Sequence, residues 1–155
     1  MIRSVFIASL AMLITGVPVA AAPPSGFPVV EPTATPATID HPRRIVLSLS
    51  ERDPVRVNEV IGNIGNIQRF YGADNVKIAF VVFGPGVHAL LKKESTVKAR
   101  IAGLVSIGVE IVACGATMAS LHATQADLID GVRIVPNGIP EIVERQARGW
   151  IYIRP

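Results

Sequence analysis

Hydrophobic and polar positions fall into two textures that alternate along the chain. Short, nearly unbroken apolar runs are separated by longer stretches in which apolar residues return every three or four positions. The first texture predicts strands buried on both faces, the second amphipathic helices. RRIVLSLS (43–50) reads as a first strand and VKIAFVVF (76–83) as a second. VEIVAC (109–114), VRIVP (132–136) and WIYIR (150–154) supply three more. Between the first two strands, Val57, Val60, Ile61, Ile64, Ile67 and Tyr71 keep helical spacing. Asp53 caps that helix ahead of Pro54 at its first position, and Gly72 closes it. A short helix is expected over VHALLKK, after the Gly84-Pro85-Gly86 loop. Ser95 is expected to cap a longer one that turns Val97, Ile101, Leu104 and Val105 inward and stops at Gly108. GATMASLH opens another short helix, and NGIPEIVERQARG a last one ending at Gly149. Regular alternation of this kind predicts an α/β fold, with an open, mostly parallel sheet covered on both faces. Gly62 and Gly65 each cost the first helix about 1 kcal/mol against alanine. They are expected to allow close approach to the sheet or to another subunit.

The stretch ahead of the first strand has neither texture. Arg3 gives a short positive end, VFIASLAMLITGVPVA follows, and Val19-Ala20-Ala21 offers small residues for a signal peptidase. Residues 1–21 therefore read as a signal peptide, 22–42 as a proline-rich flexible leader and 43–155 as the folded domain. Gly16 and Pro18 interrupt the apolar run, so no stable membrane insertion is expected after cleavage, and the mature chain is expected to be periplasmic or secreted. The formal charge is +3, and without Arg3 it is 14 basic against 12 acidic residues. That excess is too small and too scattered for nucleic acid, and 5% aromatic residues make no stacking platform.

In a parallel sheet the carboxyl ends of the strands share one edge, and ligands bind there. At those ends stand Ser48 and Ser50, Gly84-Pro85-Gly86, Cys114-Gly115 and Pro136-Asn137-Gly138, each ahead of a helix. Helix N-termini present N–H donors to an anion. Cys114 is the single cysteine, so it has no partner for an internal disulfide. At a strand-to-helix junction, unpaired N–H groups and the helix dipole lower a thiol's pKa and make it nucleophilic. The competing reading is an inert packed thiol, because free cysteines are among the most buried residues. The edge is expected to place Gly84, Gly86, His88, Gly115, Thr117 and Asn137 around Cys114 and a small anionic or polarisable ligand. His88 is placed to pair with Cys114, whereas His122 lies about two turns beyond it. Close metal-ligand spacings are missing, and no cofactor is expected. Gly84-Pro85-Gly86-Val87-His88-Ala89 matches a loose dinucleotide pattern, but Pro85 removes an N–H from the loop and no acidic residue closes the next strand. Ser48, Ser50 and Ser106 have no triad context.

NVKIAFVVFGPGVHALL, the VACG-x-TM segment at 112–118 and VPNGIPEIVERQARGWIYIRP together resemble the DsrE/DsrF-like family of sulfur-relay proteins. The resemblance spans roughly 43–155, and the Asn63–Asn66 region of the first helix is also similar. It implies a three-layer α/β/α sandwich with a five-stranded sheet, and homo-oligomers. It further implies a cysteine that carries sulfur as a persulfide, here matched by Cys114. The expected function is a thiol-based sulfur carrier or sulfur-metabolism accessory outside the cytoplasm, sulfurtransferase-like rather than a turnover enzyme. Its partners would be a sulfur donor or acceptor protein or a small sulfur compound. The alternative is a non-catalytic small-ligand-binding or assembly module with a structural cysteine. A third reading is a redox sensor whose thiol is oxidised to sulfenic acid. Accessibility separates them: a buried Cys114 favours the module, an exposed one the carrier or sensor.

Overall fold

The structure is a computed structural model describing residues 34–155. The expected signal peptide and most of the leader lie outside the described residues. The elements are β1 (Arg43–Leu49), α1 (Pro54–Tyr71), β2 (Val76–Val82), α2 (Lys98–Ser106), β3 (Glu110–Cys114), α3 (Gly115–Ser120), β4 (Arg133–Val135), α4 (Gly138–Ala147) and β5 (Ile151–Ile153). The strands form one sheet in the order β4-β3-β2-β1-β5, every neighbouring pair parallel. This is the expected three-layer α/β/α sandwich.

The near-continuous apolar strands follow from burial on two sides. Ile45, Leu47, Leu49, Ile78, Phe80, Val82 and Ile111 pack against Val57, Val60, Ile61 and Ile64 of α1, Ile101 and Leu104 of α2, and Met118 of α3. Each such side chain, fully buried, contributes about 1.5–3 kcal/mol. On the opposite face Val46, Ala79, Val81, Val112 and Val135 pack against Ile142 of α4, with Phe83, Trp150 and Tyr152 at the margin. The second layer is therefore thin. Arg145 fastens α4 to it: the side chain is buried, lies 2.9 Å from Glu110 and 2.8 Å from Glu141, and stacks 4.7 Å from the Trp150 ring centre.

α1 begins as expected, with the Asp53 carboxylate accepting the Arg56 N–H at 2.9 Å ahead of Pro54. Three expectations are corrected. The helix over VHALLKK is a 3-10 segment over Gly84–Leu90, because Leu91 leaves it to bridge Leu128 in antiparallel fashion. Ser95 accepts the Val97 N–H at 3.2 Å, but Val97 holds the cap position and α2 starts at Lys98. Gly62 and Gly65 do not approach the sheet: a Cβ at either would meet nothing within 4 Å. No helix among the described residues is long and apolar enough to cross a membrane.

Candidate functional site

Cys114 is the last residue of β3 and the cap residue of α3, so its side chain stands at the carboxyl edge on the α4 side of the sheet. Two glycines let the neighbouring helices close over it. A Cβ on Gly115 would fall 2.9 Å from the Val135 carbonyl oxygen, and one on Gly138 would fall 3.1 Å from Phe83 Cβ and 3.3 Å from Cys114 Cβ. Gly115 therefore requires glycine for space, and at Gly138 a side chain fits only if Phe83 or Cys114 gives way by a few tenths of an ångström. The result is a thiol residue only 6% exposed, gathered between the first turns of α3 and α4.

Burial pushes the Cys114 thiol up. The Thr117 hydroxyl and the N–H groups of Thr117, Gly138 and Ala116 outweigh it, and the pKa lies below that of an ordinary cysteine. The Ala116 N–H is also given to the Pro136 carbonyl at 3.0 Å. Thr117 is itself oriented. Its hydroxyl oxygen accepts the Gly84 N–H at 3.0 Å, which leaves its single hydrogen free for the thiolate. Gly84 adopts a φ of +52°, the left-handed region that glycine tolerates best.

The other expected residues divide. Gly84, His88 and Thr117 line one open cavity of about 630 Å³, together with Arg52, Pro85 and Ser120. His88 is not paired with the thiol; its Nδ1 lies 2.7 Å from Glu94 Oε2. Gly86 is buried against Leu49 and gives its N–H to the Ser50 carbonyl at 3.1 Å, a packing position. Asn137 precedes α4, but its exposed side chain caps nothing. His122 stands apart in a turn, at a φ of +52°. Ser48 is buried with its hydroxyl 2.9 Å from the Tyr152 hydroxyl, a structural pair. Among the described residues no three His, Cys, Asp or Glu side chains gather as a metal site. No pattern in the sequence marks Arg52, Glu94 or Ser120, and Gly138 was legible at the edge but not as a neighbour of Cys114. Only Gly138 had a local signal, as the residue whose N–H opens the last helix.

Fold and edge together define an α/β/α sandwich protein with a single cysteine thiol at the carboxyl edge of a parallel sheet. The chain belongs to the DsrE/DsrF-like family, a family of sulfur-relay type, whose model matches residues 41–155. Among solved structures it is similar to a protein of unknown function, MTH1491, from Methanobacterium thermoautotrophicum, at 34% identity and a TM-score of 0.70 over 73% of this chain and 99% of that one. It also shares its fold with the ychN protein from E. coli (12% identity, TM-score 0.62, 74% of this chain and 99% of that one). A third is BT1422, of unknown function, from Bacteroides thetaiotaomicron (14% identity, TM-score 0.57, 72% of this chain and 94% of that one). No curated protein matches the chain.

Proposed function

We propose that the protein is a thiol-based sulfur carrier in which Cys114 holds sulfur as a persulfide, working as an exported homo-oligomer. The observation that carries this reading is the place of the one thiol. Cys114 ends β3 and caps α3, the Thr117 hydroxyl hydrogen is left free beside it, and Gly138 of α4 closes against its Cβ, an environment that lowers the thiol pKa. A thiolate is the form that attacks electrophilic sulfur, and donors that stabilise it also stabilise a persulfide anion in the same place. Family membership supplies the sulfur chemistry. Export rests on the residue pattern of positions 1–21, and assembly on the family resemblance. One observation favours a second reading. Cys114 is only 6% exposed, as expected of a structural thiol in a binding or assembly module.

Mass spectrometry of protein treated with inorganic polysulfide separates the two. A carrier gains a single sulfur on Cys114, and Cys114→Ser gains none. Failure of the wild type to gain sulfur while free cysteine does so would leave the module reading.

A further inference from the structure

The cavity beside the thiol is larger than a bare sulfur species needs. Its 630 Å³ lies in the range of about 300–1,000 Å³ occupied by organic ligands, and an inorganic polysulfide would leave most of it to water. Cys114 is not itself in the wall, but Thr117, whose hydroxyl lowers its pKa, is, so the thiol lies one side chain behind the cavity.

The rest of the wall has a distinct chemistry. One oxygen, Glu94 Oε2, receives both Arg52 Nη2 at 3.1 Å and His88 Nδ1 at 2.7 Å. Glu94 is not in the wall; it holds from outside two side chains that are. An ionised carboxylate only accepts, so in neutral His88 the hydrogen sits on Nδ1 and Nε2 is left as an acceptor. Arg52 gives this contact one of five N–H groups, and its planar fork suits a carboxylate. Ser120 donates its hydroxyl hydrogen to the Ala116 carbonyl at 3.1 Å, which leaves its oxygen as a second acceptor. Pro85 and Leu121 are apolar. A fitting occupant thus has a carboxylate for Arg52, N–H groups for His88 and Ser120, and a short apolar frame.

We propose that this cavity binds a small amino-acid-derived thiol bearing a carboxylate, presented as its persulfide, R–S–SH. This rests on the sulfur-carrier reading for its chemistry, though not for the binding itself. The Cys114 thiolate attacks the outer sulfur. A Cys114–sulfur bond forms as the donor's S–S bond breaks, and R–S⁻ leaves with the electron pair. The proton stays on the transferred sulfur. One thiolate is exchanged for another with no net oxidation, and no co-reactant is required. Glu94 acts as a positioning residue for Arg52 and His88.

The test uses S-methylglutathione, which carries the carboxylates and N–H groups but has no free thiol. Calorimetric titration of the wild-type protein should show saturable binding. Arg52→Ala should weaken it about two- to fivefold, the range for a solvent-exposed ion pair. Esterifying the ligand's carboxylates should weaken wild-type binding similarly and add nothing to Arg52→Ala. No saturable binding at millimolar ligand, or equal affinity for wild type and Arg52→Ala, overturns the proposal. The two readings fail separately. Sulfur loaded from inorganic polysulfide without S-methylglutathione binding rejects the cavity assignment alone. Binding without any loading of Cys114 rejects the transfer step and the carrier reading, and leaves a binding site.

Discussion

Thr117 decides how Cys114 behaves, because one hydroxyl serves two neighbours. It takes the Gly84 N–H at 3.0 Å, which leaves its own hydrogen free for the sulfur. Among the groups that lower the thiol pKa, the Thr117 hydroxyl is the largest. The nucleophile is the thiolate, so a lowered pKa raises its fraction at neutral pH, and removing the hydroxyl must reduce it. In Thr117→Val the midpoint of the pH–rate profile for alkylation by iodoacetamide should move up, and the rate at neutral pH should fall. Thr117→Ser should restore most of both. Wild type should have its midpoint below that of free cysteine. The part-buried Gly84 N–H loses its partner in Thr117→Val, so a stability loss of about 0.5–1.5 kcal/mol is expected in denaturant titration. An unchanged alkylation profile in a folded Thr117→Val would remove the hydroxyl from the account. Cys114 and Thr117 were legible in the sequence because a strand-to-helix junction marks them within four residues of each other. Arg52 and Glu94 were not: they meet across 42 positions, and no local pattern marks such a pair, while His88 was legible at this edge but its pairing with Glu94 was not.

The helices differ in how they are held. α1 is fixed by a full apolar stripe, Val57, Val60, Ile61 and Ile64, whereas α4 buries Ile142 and depends on the Arg145 pairs. Inside α1, Gly62 and Gly65 have empty space where a side chain would stand. Alanine at either should then stabilise the protein by up to about 1 kcal/mol, as a pure gain in helix propensity, read by chemical denaturation. A loss instead would mean that a subunit covers that face of the helix. Gly115 and Gly138 are the contrast, since there the space is filled. The sequence did not distinguish the two pairs, because composition marks a glycine without showing what lies beside it. Strands and long helices were legible because burial imposes their periods. The short helix expected over VHALLKK lies three residues earlier and is of 3-10 type, a distinction that seven residues cannot carry because they hold too few turns to tell a period of 3.6 from one of 3. The 3-10 turns at Ala73–Asn75 and Gln125–Asp127 bury no residue and leave no apolar pattern to read.

At the scale of the whole molecule the two faces of the sheet are unequal. One carries α1, α2 and α3, the other α4 with Trp150 and Tyr152 beside it. The outer side of α4 exposes Ile139 and Val143, and the two edge strands expose Ile134 and Ile151. The thiol lies at the rim of the thinner layer, under the first turn of α4. A carrier must do two things there: accept sulfur and release it again. The most direct measurement is therefore a transfer experiment. Protein loaded from polysulfide is freed of the donor and mixed with a small acceptor thiol, and its intact mass is followed with time. A carrier returns to its unmodified mass as a persulfide or hydrogen sulfide appears in solution, and Cys114→Ser shows neither loading nor release. If Cys114 takes up no sulfur, or keeps it permanently in the presence of excess thiol, the protein is not a sulfur carrier.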